Sequence, residues 1–315
     1  MNALVTGVAG FIGSHLAEAL LARGARVTGI DCFTDYYPRA VKEGNLATAR
    51  RHPDFRFIES TIQAADLPAL LQETTHVFHL AAQAGVRRSW GRDFQVYTVN
   101  NIEATQVLLE ACAAVRLDRL VYASSSSVYG DDAALPMRED ALPRPVSPYG
   151  VSKLAAEQLC YLYHVNYGVP SVSLRYFTVY GPRQRPDMGF HKFLRAAIQS
   201  EPIEVFGDGE QTRDFTFVSD AVGATIAAGT RGVAGRVYNI GGGSRVSVNH
   251  VLDVVSRVTG RNVQVVRVDK QKGDMRDTYA DTSLACADLG FAPQATLARG
   301  LAAEFEWLAG RLSPA

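Results

Sequence analysis

VTGVAGFIGSH, residues 5–15, follows a short β-branched run and leads into a helical one, with Gly7, Gly10 and Gly13 at GxxGxxG spacing between them. Glycine permits a tight turn there and lets backbone amides approach a pyrophosphate at a helix N-terminus. A glycine triplet also serves plain strand-to-helix turns, so the residues downstream have to decide. Asp31 ends the next β-branched run, 18 residues after Gly13. A carboxylate at that place accepts bonds from the adenosine ribose hydroxyls and repels a 2′-phosphate. Together the turn and the acid predict bound NAD rather than NADP.

Outward from this turn, the runs ALVTG, RVTGID, FRFIES, HVFHLAA, RLVYASS and SVSLRYF alternate with the amphipathic stretches FIGSHLAEALLARG, LPALLQE, NNIEATQVLLEACAAV and SPYGVSKLAAEQLCYLYHVNYG. That rhythm predicts right-handed βαβ crossovers and a doubly wound, parallel α/β sheet of the Rossmann type, covered on both faces. After Phe177 it breaks: GPRQRPDMGFHKF is rich in Pro, Gly and Arg, and VFGDGEQTRDF reads as strand, Gly turn, strand. VSDAVGATIAAG and VYNIG restore one helix and one strand. VNHVLDVVSRVTG, NVQVVRV and a final helix around Leu301 to Arg311 suggest a smaller α/β lobe. The expected division is residues 1–177 and 216–241 for the dinucleotide and residues 178–215 and 242–315 for a substrate, with the cleft at the carboxyl ends of the strands.

Composition narrows the partners. The 315 residues are 47% hydrophobic and 20% charged, with 32 basic and 32 acidic side chains. No like-charge block steers the chain toward nucleic acid or anionic lipid, and no apolar run is long enough for a membrane span, which leaves a small soluble ligand as the expected partner. The chain enters its first strand directly after Met1, and Cys32, Cys112, Cys160 and Cys286 lie far apart with no CxxC spacing. Both features suggest a reducing, cytoplasmic setting. His76 and His79 share one strand, but no nearby carboxylate or thiol completes a ligand set, so no metal is expected.

Two further patterns carry chemistry. Tyr149 and Lys153 in SPYGVSK stand at i and i+4, hence on one face of a helix. An ammonium beside a phenol, with a cationic nicotinamide nearby, favours the phenolate and makes a general base usable near neutral pH. Four hydroxyls, Ser124, Ser125, Ser126 and Ser127, end the run LVYASSSSVYG. Serine runs are ordinary in loops; behind a dinucleotide turn they become candidates for holding a ligand.

VTGVAGFIGSH, VFHLAA, SSSSVYG, SPYGVSK, LRYFTVYGP, FGDGEQTRDFTFVSD and GDMRDTYAD, in that order, resemble the extended short-chain dehydrogenase/reductase family and its NAD-dependent nucleotide-sugar epimerases and dehydratases. The resemblance implies a tightly held NAD and oxidation of a hexose carbon, usually C4. It assigns Ser125, Tyr149 and Lys153 to catalysis, with Ser125 on the C4 oxygen and Lys153 on the nicotinamide ribose. It assigns Gly7, Gly10, Phe11, Ile12, Gly13, Asp31, Leu80, Ala81, Ala82, Asn100, Ser124, Tyr149, Lys153 and Tyr176 to the cofactor. Arg87, Ser125, Ser126, Ser127, Thr178, Arg185, Val205, Arg213 and Asp274 fall to the substrate, with Arg213 and Asp274 on its nucleotide. Family members commonly pair through the helices at 101–115 and 149–167 as a four-helix bundle, which implies a homodimer.

Dehydratases of this family carry Asp and Glu after the first hydroxyl of the strand end, and decarboxylases keep a Glu there; this chain has Ser126 and Ser127. Elimination lacks its acids, and epimerisation is the simplest remaining chemistry. The loop YGPRQRPDM supplies Arg183 and Arg185, and arginine matches a carboxylate bidentately. This loop, FTDYY after Asp31, AGVRRSW and the QKGD stretch from Gln271 to Asp274 resemble the UDP-glucuronate 4-epimerases of the family. UDP-glucose epimerases more often carry Asn at Thr178 and Arg at Gln271. The expected partner is therefore a UDP-sugar, with UDP-glucuronate favoured. UDP-glucose or UDP-N-acetylglucosamine 4-epimerisation, decarboxylation, 4,6-dehydration and a non-enzymatic NAD sensor stand as rivals. Sequence does not say which of Arg183 and Arg185 turns inward.

Overall fold

The computed structural model describes residues 1–269 and 272–312, so Gln271 of the QKGD stretch lies outside the described residues. Its strands are β1 (Asn2–Thr6), β2 (Arg26–Asp31), β3 (Phe55–Glu59), β4 (His76–His79), β5 (Arg119–Ser125), β6 (Ser171–Tyr176), β7 (Thr178–Tyr180), β8 (Ile203–Phe206), β9 (Thr212–Phe217), β10 (Val237–Ile240), β11 (Arg245–Ser247) and β12 (Val265–Val268). The helices are α1 (Phe11–Leu21), α2 (Arg39–Leu46), α3 (Leu67–Leu71), α4 (Phe94–Tyr97), α5 (Ala104–Ala113), α6 (Pro148–Tyr167), α7 (Gly189–Gln199), α8 (Val218–Arg231), α9 (Val248–Thr259), α10 (Ser283–Leu289) and α11 (Leu297–Leu312).

Seven strands form one parallel sheet in the order β3-β2-β1-β4-β5-β6-β10. The order reverses between β1 and β4, the switch point at which a doubly wound sheet opens a crevice. One face is covered by α1 and α8 around Leu16, Leu20, Phe78, Val121 and Ala228. The other is covered by α3, α5 and α6 around Leu4, Val77, Leu108, Tyr122 and Cys160. Burial on both faces explains why these strands read as continuous apolar runs.

Two small sheets stand apart, β11-β9-β7 and β12-β8, packed with α7, α9 and α11 around Tyr180, Phe190, Leu194, Val251 and Leu301. The run VFGDGEQTRDF does form two strands with Gly207 and Gly209 between them, but they do not pair with each other. Strand β8 pairs in parallel with β12, whereas β9 pairs with β7 and β11. The stretch from Asn100 to Val115 also departs from one uniform helix: a π-helical segment, Thr98–Glu103, joins α4 to α5. His79 is a core residue, bonded through Nδ1 to Thr6 and through Nε2 to Thr105, and burial draws its pKa down to about 3.

Candidate active site

A cavity of about 1100 Å³ opens beside the switch point, between the carboxyl ends of the main-sheet strands and the small sheets. The structure brings to its walls every residue assigned above to catalysis, cofactor or substrate. Gly7, Gly10, Phe11, Ile12, Gly13, Asp31, Leu80, Ala81, Ala82 and Asn100 line the side at β1, β2 and β4. Ser124, Ser125, Ser126, Ser127, Tyr149, Lys153 and Tyr176 line the middle, and Arg87, Thr178, Arg185, Val205, Arg213 and Asp274 the far side.

The glycine turn is shaped by contact. Gly7 takes φ +70°, and a Cβ on Gly13 would stand 2.2 Å from the Gly7 carbonyl oxygen, a distance no side chain tolerates. Helix α1 starts at Gly10 with no side-chain cap, so its first amides keep their partial positive charge for an anion. Asp31 at the end of β2 accepts from Ala9 N–H at 3.0 Å and Phe33 N–H at 2.9 Å. Burial raises its pKa while these amides and Lys42 oppose the shift. The turn, the uncapped helix and the fixed carboxylate fit the pyrophosphate and ribose of a dinucleotide.

Helix α6 presents the chemistry. It starts at Pro148 with the Ser147 hydroxyl accepting from Gly150 N–H at 3.1 Å, and it stops at Gly168 in the left-handed conformation. Tyr149, Lys153 and Glu157 follow at i, i+4 and i+8 on the inward face. Glu157, unforeseen from the sequence, pairs with Arg175 of β6 at 2.7 Å in the core and accepts from the Ser124 hydroxyl at 2.6 Å. The Ser124 hydroxyl therefore also anchors α6, spending its proton on Glu157.

Lys153 is buried, with Nζ 4.8 Å from the Tyr122 ring centre, and desolvation brings its pKa down to about 8. The Tyr149 ring packs edge-on against Tyr97 at 6.2 Å. Burial raises the Tyr149 pKa, opposed by a hydrogen bond with Ser125 and by the Arg185 charge. The expectation from sequence counted a cationic nicotinamide beside the phenol as well as Lys153; with the cavity walls alone, desolvation of the phenolate outweighs the nearby charge.

Ser125 also caps the turn at Ser126–Val128, its oxygen accepting from Ser127 N–H at 3.1 Å. The hydroxyls of Ser126 and Ser127 have no partner among the described residues, and both residues line the cavity. Asn100 spends its amide on Val96 O at 2.8 Å. Its neighbour Asn101 is the buried one, tied to both backbone groups of Gln83 and to Ser152.

Two arginines of one loop part company. Arg183 pairs with Glu18 of α1 at 2.8 Å and is absent from the cavity wall, whereas Arg185 lines the cavity and pairs with Asp187. At the far end Arg87 pairs with Asp274 at 2.7 Å and stacks on Phe206, its guanidinium carbon 3.9 Å from the ring centre. Arg213 donates to the carbonyls of Thr212 and Arg276. Tyr36, Lys42 and Asp187 line the cavity too and were not singled out in the sequence. FTDYY placed Tyr36 near the cofactor acid, but nothing local tied it to a loop 151 residues away.

Turn, acid and tyrosine–lysine face define a dinucleotide-binding α/β protein with Tyr149 and Lys153 on the wall of its cleft. Residues 3–241 match the NAD dependent epimerase/dehydratase family, and the chain belongs to that family. It is 44% identical over 310 residues, 98% of both chains, to a Bacillus subtilis (strain 168) protein named uncharacterized UDP-glucose epimerase YtcB. It is 37% identical over 309 residues to the UDP-glucuronate 4-epimerase of Thermodesulfobacterium geofontis (strain OPF15), covering 96% of this chain and 95% of that one. The crystal structure of Bacillus cereus UDP-glucuronic acid 4-epimerase with UDP-glucuronic acid and NAD superposes with a TM-score of 0.96 at 44% identity, over 99% of this chain and 100% of that one.

Proposed function

We propose that this protein is an NAD-dependent UDP-glucuronate 4-epimerase, interconverting UDP-glucuronate and UDP-galacturonate. The observation that carries the reading is Arg185: a cation on the cavity wall, close enough to act on the charge of Tyr149, in a cavity also lined by two serines where elimination would need acids. The likeness to the Thermodesulfobacterium and Bacillus cereus enzymes supports it.

The turn from Gly7 to Gly13 holds the pyrophosphate, Asp31 the adenosine ribose and Lys153 the nicotinamide ribose. The chemistry that bound NAD would supply is a hydride acceptor, and later donor, for C4 of the sugar. Tyr149 takes the proton of the 4-hydroxyl and gives it back, and Ser125 hydrogen-bonds the same oxygen and the phenol. A cationic nicotinamide beside Tyr149 would add to Ser125 and Arg185 in lowering its pKa. The 4-keto uronate is a β-keto acid that loses carbon dioxide when its carboxylate is poorly held. Ser126, Ser127, Thr178 and Arg185 hold that carboxylate by charge-assisted hydrogen bonds. Arg87, Val205, Arg213 and Asp274 take the uridine diphosphate.

In this reading residues 1–177 and 216–241 serve NAD, and residues 178–215 and 242–315 serve the sugar nucleotide. A homodimer in the cytoplasm completes the reading. Helix α6 leaves Val151, Leu162 and Val165 exposed along one stripe, which supports pairing of α5 and α6 with a second copy. Among the described residues no helix is long and apolar enough to cross a membrane. Light scattering that gives a monomer mass at micromolar concentration would overturn the dimer.

A plain UDP-glucose 4-epimerase is the second reading, favoured by the charge balance of Arg185 with Asp187, which leaves the sugar site near neutral. Incubation with UDP-glucuronate and, separately, UDP-glucose, followed by chromatography of the nucleotide sugars and trapping of carbon dioxide, decides. UDP-galacturonate without carbon dioxide is expected; conversion of UDP-glucose alone would install the second reading.

A further inference from the structure

Tyr36, Asp187 and Arg185 form a chain on the wall of the cavity. Tyr36, from the loop after β2, donates its hydroxyl to Asp187 Oδ2 at 3.1 Å. Asp187 Oδ1 takes Nε of Arg185 and Oδ2 takes Nη2, both at 3.0 Å. Asp187 thus occupies the side edge of the guanidinium fork. A guanidinium has five N–H groups on a rigid plane. Two are spent on Asp187, and the end edge, Nη1 with the second proton of Nη2, has no partner among the described residues. That edge is wide enough to take a second carboxylate bidentately.

The loop geometry is built around this chain. Gly85, in the loop after β4, has φ +102°, and a Cβ there would stand 2.2 Å from the Tyr36 hydroxyl. The guanidinium carbon of Arg88 lies 5.3 Å from the Tyr36 ring centre and that of Arg185 5.9 Å. Three loops from separate parts of the sequence therefore meet on one phenol. Burial works against ionised Asp187, yet the charge of Arg185 and the hydrogen bonds from Arg185 and Tyr36 hold its carboxyl below the ordinary range.

We propose that Asp187, fixed by Tyr36, is a positioning residue that turns the free edge of Arg185 toward the substrate carboxylate and so decides whether that carboxylate survives the 4-keto stage. The inference rests on the uronate reading above. In a 4-keto uronate the C5–C6 bond can break, its electron pair passing into the C4 carbonyl as an enolate, carbon dioxide leaving and C5 taking a proton from solvent. The break needs the C5–C6 bond aligned with the carbonyl π system, so the direction from which the guanidinium grips the carboxylate controls it. Asp187 also cancels one unit of positive charge, so it trades ground-state attraction for orientation.

The test compares wild type with Asp187→Asn and Tyr36→Phe on UDP-glucuronate, reading KM, kcat and moles of carbon dioxide per mole of UDP-galacturonate. In Asp187→Asn the carbon dioxide ratio should rise about tenfold or more, the worth of one charge-assisted hydrogen bond, while KM stays level or falls. Tyr36→Phe should move the ratio the same way by a smaller factor. A merely structural residue would lower kcat with the ratio unchanged, and that outcome in both variants overturns the proposal. If Asp187→Asn does not fold by circular dichroism, Tyr36→Phe, which loses one hydroxyl, carries the test alone. Wild type that epimerises with unchanged ratios in the variants sinks only this inference; wild type that leaves UDP-glucuronate untouched sinks the uronate reading and this inference with it.

Discussion

Arg183 and Arg185 stand two residues apart and serve different structures: Arg183 is tied to Glu18 on α1, while Arg185 is tied to Asp187 on the cavity wall. Arg185→Ala should lower kcat/KM on UDP-glucuronate by one or more orders of magnitude, since removing one partner of a desolvated charged contact costs ~2 to 5 kcal/mol. Arg183→Ala should keep near-native kcat/KM and lose thermal stability instead. Steady-state kinetics and melting curves on the two variants read both halves, and the opposite pattern would exchange their roles.

Tyr149→Phe deletes a hydroxyl while keeping the ring that packs on Tyr97. Its melting temperature should stay close to wild type and its turnover should fall by about 10² to 10⁴, the usual worth of a general base. Unchanged turnover would remove Tyr149 from the proton path.

Asp31→Ala should weaken NAD binding by about one to two orders of magnitude, because it removes a charged acceptor worth ~1.5 to 3 kcal/mol and also releases the amides of Ala9 and Phe33. Calorimetric titration of protein stripped of nucleotide measures it. An affinity equal to that of wild type would detach Asp31 from the cofactor.

Glu304 of α11 gives a pH signature. It is fully buried, Oε2 accepts from Gly181 N–H at 2.8 Å, and Oε1 has no partner among the described residues. Burial raises its pKa from 4.5 to about 8. The folded state thus binds this proton more tightly than the unfolded chain, so its contribution is full below pH 4.5 and is lost as pH rises through about 8. Glu304→Gln keeps an acceptor for Gly181 and removes the charge. The variant should be more stable than wild type at pH 8, by on the order of 3 kcal/mol, with the gap closing toward pH 5. Parallel stability curves across that range would show that Glu304 does not titrate there.

Much of the main sheet was legible because strands buried on both faces must be apolar throughout, and β1 to β6 coincide with the six runs read from sequence. Helix α7 was hidden behind the Pro and Gly of GPRQRPDM, although Phe190, Leu194 and Ala197 carry the helical spacing that could have shown it. Helix α2, with Gly44 and Asn45 inside it, has weak propensity and takes its order from packing. The partners of β8 and β9 were illegible because they come from β12, β11 and β7, and short strands do not encode distant register. In the site, motif residues with local spacing, Gly7 to Gly13 and Tyr149 with Lys153, could be named in advance. Glu157, Tyr36 and Asp187 could not, since each acts through a residue remote in sequence. The burial of Tyr149 was illegible for a related reason: spacing shows which charges are near but not how much water the fold removes.

Epimerisation by hydride out and hydride back is tested most directly with UDP-glucuronate carrying deuterium at C4, converted in ordinary water and read by mass spectrometry and proton NMR of the product. UDP-galacturonate that retains the deuterium at C4, and that gains no deuterium at C5 when unlabelled UDP-glucuronate is converted in heavy water, is the expected result. Loss of the label to solvent, or exchange at C5 during conversion, would contradict it.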